Sequence, residues 1–254
     1  MRYFAELAYK GTNYCGWQTQ PNSPSVQETI ETAFSTILRS TIKIYGCGRT
    51  DTGVHATQFF IHFDFDSSFP KGFVSRINKF LPADIAIKRI FDVAQEAHAR
   101  FDAYHRSYEY HISFQKDPIQ IDTIYYYPFA KQLDIAKMQQ AASLLLTYKE
   151  FFPFCKSNSD ANTMKCDLSR AEWVLDESRG RLIFYIAANR FLRGMVRLIV
   201  GMCFNIGLGK ITLSDVKKAM DQQIRLKKDL SAAAHGLFLT EIKYPFLDIK
   251  PTKK

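Results

Sequence analysis

Between Arg2 and Phe114 the chain passes through one mixture of strand- and helix-patterned segments, and beyond Phe114 it passes through a second. That order points to two α+β halves, which can share a sheet. A length of 254 residues suits one large domain or two closely packed ones, and 46% hydrophobic against 23% charged residues supplies a core and excludes wholesale disorder.

In the first half, Arg2 to Tyr9 reads as a strand closed by the turn residues Lys10-Gly11-Thr12-Asn13. Ser25-Val26-Gln27-Glu28 spells a capping box. The helix it starts carries Val26, Ile30, Ala33, Phe34, Ile37 and Leu38 on one face and should end near Ser40. Strands are expected through Ile42 and Ile44, through Phe59, Ile61 and Phe63, and at 85–91 and 108–114. In the second half, 133–147 is helical, with Met138, Ala141, Ala142 and Leu145 as its buried stripe. Strands at 170–175 and 182–188 lead into a helix from about Arg190 to Asn205. A last helix at 213–222 precedes a strand at 237–244. The expected division is 1–105 and 106–254, with no exact internal repeat.

The formal net charge is +9, of which +7 lies beyond residue 100. Ser178 to Ser214 holds no acid but contains Arg179, Arg181, Arg190, Arg193, Arg197 and Lys210. Such a surface draws phosphate backbones through counterion release, although a basic balance alone fits many partners. The mainly apolar run Phe191 to Leu208 is interrupted by Arg193, Arg197 and Asn205, so no membrane span is expected. The opening Met1-Arg2-Tyr3-Phe4-Ala5-Glu6 does not read as a signal peptide, and the five scattered cysteines do not read as a disulfide framework. A cytoplasmic protein with reduced, mostly buried thiols is expected, without a metal site.

The sharpest local signal is Gly46-Cys47-Gly48-Arg49-Thr50-Asp51-Thr52-Gly53. Its glycines let the backbone turn tightly and approach a ligand. Asp51 is competent as nucleophile or base, and Arg49 suits phosphate. A glycine-rich hairpin with a turn-capping aspartate explains the same residues without chemistry. Asp51-Thr52-Gly53 spells the aspartic-protease tripeptide but has no second copy and no apolar strand before it. The loop also lacks the Gly-Lys-Ser/Thr ending of a phosphate-binding P-loop.

In a helix starting at Arg190, the residues Arg190, Arg193 and Arg197 share one face, with Leu192, Met195, Val196, Ile199 and Met202 on the other. Arg197 is crowded by apolar neighbours and needs an anionic partner, for which Asp51 is a candidate. In Arg106-Ser107-Tyr108-Glu109-Tyr110, strand alternation puts Arg106, Tyr108 and Tyr110 on one face, a surface for base stacking. Trp17 reads as a packing anchor. His55 reads equally well as structural or catalytic.

Taken in order, these segments resemble the tRNA pseudouridine synthases of the TruA family. The resemblance rests on Tyr9-Lys10-Gly11-Thr12, Gly16-Trp17-Gln18, Ser25-Val26-Gln27, Gly48 to His55, Leu81-Pro82, His98-Ala99-Arg100-Phe101, Arg106 to Tyr110, Phe191 to Gly201, Gly236-Leu237 and Tyr244-Pro245. It implies the pseudouridine synthase fold, with two mixed halves of largely antiparallel sheet flanking a central active-site cleft. It also implies a cofactor-free isomerase, acting as a homodimer, that converts uridine to pseudouridine in the anticodon stem-loop of tRNA, typically at nucleotides 38, 39 and 40.

By the same resemblance Asp51 matches the catalytic aspartate, Tyr108 the active-site tyrosine, Arg197 the arginine that pairs with the aspartate, and Arg49 a position associated with flipping the target nucleotide. Arg190 and Arg193 are the expected phosphate contacts. The chain departs from the family at Ala56-Thr57-Gln58-Phe59, beside the Asp51 loop, and at 151–169, a stretch that can alter which stem nucleotides are reached. Two other readings remain at this point: an RNA-binding protein on the same scaffold without turnover, and an unrelated aspartate-nucleophile hydrolase.

Overall fold

The computed structural model describes residues 1–156, 162–226 and 231–247. In chain order the described elements are β1 (Arg2–Tyr9), α1 (Val26–Leu38), β2 (Tyr45–Gly46), β3 (His55–Asp64), α2 (Phe73–Phe80), β4 (Ile85–Val93), β5 (His105–Ser113), β6 (Tyr125–Tyr126), α3 (Ile135–Leu145), β7 (Leu168–Asp176), β8 (Arg181–Ala188), α4 (Met195–Gly207), α5 (Leu213–Gln222) and β9 (Leu237–Lys243). The fold class is α+β. The chain divides into two compact units, Met1–Tyr104 with the stretch from Phe238 onward, and His105–Leu237. The expected division had kept the whole C-terminal stretch in the second half. Here the last strand, apart from Leu237, belongs with the first unit.

In the first unit the strand order is β4-β1-β3-β9, with β2 on β3. β1 runs antiparallel to β3 and to β4, pairing Phe4 with His62 and with Phe91, while β9 runs parallel to β3 through His55–Phe238 and Ala56–Leu239. α1 starts as expected, because Ser25 Oγ accepts from the Glu28 backbone N–H at 3.2 Å. Val26, Ile30, Ala33 and Phe34 are buried, and the Phe34 ring meets Phe63 of β3 edge-on at 5.2 Å.

The strand expected through Ile42 and Ile44 is absent. Both residues are buried, but their backbone bonds go to helix side chains instead of to a neighbouring strand. Ser35 Oγ accepts from Ile42 N at 2.9 Å, Glu31 Oε1 accepts from Ile44 N at 3.0 Å, and Gln27 Nε2 donates to Ile44 O at 3.2 Å. A strand-like apolar pattern therefore lies along α1, with the amides of Ile42 and Ile44 paired to its side chains.

The second unit has β5, β8 and β7 in that order, antiparallel throughout, with β6 parallel to β5. Met138, Ala141, Ala142 and Leu145 form the buried face of α3, as expected from their spacing. α4 is buried along nearly its whole length, and α5 begins with a complete capping box between Thr212 and Asp215. All five cysteines are free thiols, and four are buried. No described helix is long and apolar enough to cross a membrane. The divergent 151–169 stretch includes 157–161, which lie outside the described residues.

Candidate active site

The Asp51 loop joins β2 to β3, and its backbone is held from both sides. Trp17 N donates to Thr50 O at 3.2 Å, Gly53 N to Tyr14 O at 3.4 Å, and Cys47 N to Phe60 O at 2.8 Å. The Tyr9 and Thr50 hydroxyls share a 2.8 Å hydrogen bond. Inside the loop, Val54 N donates to Asp51 O at 3.1 Å, closing a turn around the aspartate.

This packing explains two glycines outside the loop. Gly16 has φ +95°, and a β-carbon there would lie 2.5 Å from Thr50 O; at Gly11 it would lie 2.0 Å from Val54 O. Only residues without side chains let these segments approach the loop so closely. Trp17 is the expected packing anchor, 3% exposed and stacked on Phe59 at 4.1 Å. His55, read either way from the sequence, is structural: it is buried, its Nδ1 accepts from Gly11 N at 2.9 Å, and its ring lies on Phe238. Gln58, where the sequence departs from the family pattern, ties three strands together by donating to Glu6 Oε1 at 3.1 Å and accepting from Ile242 N at 2.8 Å. Arg49 is exposed and lines an open pocket of the first unit.

Tyr108 lies on β5 opposite Ile186 of β8 and is half-buried. Phe191 meets its ring edge-on at 5.1 Å and 88°, which fixes the ring plane. The strand face shared by Arg106, Tyr108 and Tyr110 is not an open platform. Tyr110 is 0% exposed, and Arg106 Nη1 donates to the Asn189 carbonyl at 2.9 Å. β5 runs into the core as it passes Tyr108, so only its first part is accessible. The Tyr110 hydroxyl is buried without a hydrogen-bond partner among the described residues, and burial pushes its pKa up.

The arginine stripe is also revised. α4 begins at Met195, not near Arg190, because Gly194 caps it in the left-handed conformation at φ 69°. Arg190 and Arg193 thus sit on the connection from β8 to α4 and share no helical face with Arg197. Arg193 is exposed and Arg190 half-buried. Two other bases of the acid-free stretch face acids elsewhere: Arg179 Nε is 3.8 Å from Asp176 and Arg181 Nη2 is 3.9 Å from Asp117.

Arg197, in the first turn of α4, is held by a reciprocal clamp. Its Nε donates to Ala232 O at 2.7 Å, while Ala232 N donates to the Arg197 carbonyl at 3.0 Å. With Nε committed to a backbone carbonyl, the direction of the guanidinium fork is set. The sequence offers no cue for Ala232, since a backbone carbonyl has no side-chain signature. Phe191 leaves one cue only, an aromatic residue beside Arg190. Among the described residues no group of three or more His, Cys, Asp or Glu is arranged to hold a metal ion.

Residues 141–245 match the family described as tRNA pseudouridine synthase. Nearly the whole chain is similar to curated proteins. It is 44% identical over 247 residues to the tRNA pseudouridine synthase A of Porphyromonas gingivalis, covering 96% of this chain and 97% of that one. Against the protein of the same name from Bacteroides thetaiotaomicron it is 43% identical over 246 residues, covering 96% and 91%. Against that from Francisella tularensis subsp. novicida it is 36% identical over 251 residues, covering 98% and 96%.

Proposed function

We infer from the tRNA pseudouridine synthase family, to which this chain belongs, that the protein is an isomerase converting uridine to pseudouridine in tRNA. The observation that carries this reading is similarity along nearly the full length of both chains. The RNA-binding alternative has nothing in its favour. A base within a stem must leave the stack to be reached, at a cost of a few kcal/mol.

Asp51, Tyr108 and Arg197 are the residues we assign to the chemistry. In the reaction the C1′–N1 bond breaks, the uracil turns, C1′–C5 forms, and the proton on C5 is lost while N1 gains one. Asp51 acts as a carboxylate, on the base, on C1′ or on a sugar proton. Arg197 is its charge partner, a role suited to a guanidinium whose direction the Ala232 clamp fixes. Tyr108, its plane held by Phe191, stacks on the freed uracil and assists removal of the C5 proton.

Arg49 takes part in flipping the nucleotide, and Arg190 and Arg193 meet phosphates from the β8–α4 connection. The proposed substrate uridines are nucleotides 38, 39 and 40 of the anticodon stem-loop. The proposed working form is a cytoplasmic homodimer without metal or organic cofactor.

Tritium at uracil C5 tests the chemistry, because isomerisation must expel it whereas binding or hydrolysis retains it. Wild type should release tritium from tRNA, Asp51→Asn should release essentially none, and Arg197→Lys should be slower by at least about 10-fold, since a point charge cannot copy a bidentate fork. Undiminished release from Asp51→Asn would sink the mechanism. Full activity in Arg197→Lys would remove the proposed pair.

A further inference from the structure

An open pocket of about 270 Å³ in the first unit includes Gln18, Tyr45, Arg49, His98, Arg100 and Phe101 in its lining, and Asp51 is not part of it. Its most unusual feature is a row of four rings. Phe101 lies 4.3 Å from His98, His98 lies 4.5 Å from His62, and His62 is stacked on Tyr45 at 4.9 Å and 15°. The two ends of the row are open to solvent, Phe101 being 74% and Tyr45 55% exposed. Large exposed rings beside arginines are poor packing but a good stacking surface for planar bases.

The row is held in place before any ligand arrives. His98 Nδ1 accepts from Arg100 N at 3.1 Å and Phe101 N at 3.4 Å, while Asp102 Oδ2 accepts from His98 N at 2.7 Å. His62 Nδ1 accepts from Ala99 N at 3.1 Å. Burial lowers the pKa of both imidazoles, His62 to about 4, so the two rings stay neutral and can lie together. The Arg100 guanidinium sits 5.7 Å from the Phe101 ring centre, and Arg49 is on the same lining. Gln18 is exposed and offers an amide donor and acceptor.

We propose that this pocket binds an unpaired nucleotide of the RNA other than the uridine being isomerised. Its base stacks on the aromatic surface that Phe101 and Tyr45 help to form, its edge is met by Gln18, and its phosphate is met by Arg49 and Arg100. The proposal rests on the tRNA reading above for the identity of the RNA, but its chemistry is that of single-stranded RNA recognition. The pocket suits one nucleotide rather than a duplex groove. The uridine undergoing reaction belongs at Asp51, outside the lining.

The test measures fluorescence anisotropy of a labelled, unstructured RNA hexamer and of a matched blunt RNA duplex. The proteins compared are wild type, Phe101→Ala, Phe101→Trp and Tyr45→Ala, with thermal melts to establish folding. Loss of one stacked base predicts hexamer binding weakened about 5- to 100-fold in Phe101→Ala and Tyr45→Ala, with restoration in Phe101→Trp and duplex binding unchanged. Unchanged hexamer affinity in the folded alanine variants, or equal losses for hexamer and duplex, overturns the proposal. Tritium release by wild type without any Phe101 effect would remove the pocket alone. A Phe101 effect without tritium release would remove the isomerase reading and leave the pocket standing.

Discussion

At the scale of single residues, the positions proposed for the chemistry stand out in the sequence and their supports do not. Asp51 stood out through its glycines, and Tyr108 and Arg197 through their setting. Arg197 is aimed by the carbonyl of Ala232 and Tyr108 is braced by Phe191, contacts made by residues distant in sequence or by backbone atoms. His62 gives a titration that can be measured. Burial first, and then the charges of His98 and Arg2, hold it at about pKa 4. Between about pH 6.5 and 4 the unfolded chain takes up a proton there that the folded chain refuses, so stability falls as pH is lowered through that window and the slope levels below it. The expected loss is up to about 3 kcal/mol across the window by urea denaturation. His62→Gln, which keeps an acceptor for Ala99 N, should flatten the slope; an unchanged slope in that variant would place the proton elsewhere.

At the scale of elements, periodicity found the long pieces because one face of each is buried in register with its pattern. β1, α1, α3, α5 and β9 lie where the spacing of apolar residues put them. Two expectations failed for opposite reasons. Ile42 and Ile44 alternate like a strand, yet side chains of α1 capture their amides before any strand can. The pattern 190–205 is helical by period, yet Gly194 starts the helix late and leaves Arg190 and Arg193 on a connection. Sequence spacing reports which side chains are buried together, and it does not report which acceptor a given N–H finds. Ser35→Ala accordingly leaves the buried Ile42 N–H without its acceptor and should cost about 1–2 kcal/mol in a denaturant titration. A cost near zero would mean that the 42–44 segment repairs itself with another acceptor. The α2 helix had no expectation at all, since eight residues with Phe73 and Ile77 as its only buried pair carry too short a period to stand out.

At the scale of the whole molecule, two α+β units were legible from the repeat of mixed segments, and the ownership of the final strand was not. β9 pairs with β3 at His55 and Ala56, the residues directly after the Asp51 loop, and Tyr244 is fully buried with its hydroxyl donating to Ala99 O at 2.6 Å. Parallel pairing between segments so far apart in sequence has no local cue. A chain ending at Gly236 should therefore lose tritium release entirely and lose cooperative unfolding of its first unit, while the second unit retains a folded transition in calorimetry. Retained turnover in the truncated chain would show that the base of the Asp51 loop does not need β9.

The same parallel pairing makes the order of synthesis matter. A ribosome emitting about 5–20 residues per second completes everything from His105 to Leu237 before the partner for His55 and Ala56 exists. The nascent first unit thus waits with His55 and Ala56 unpaired on that side, beside the aspartate proposed for the chemistry. An enzyme made this way acquires the ability to act only after the segment that begins at Phe238 has been made.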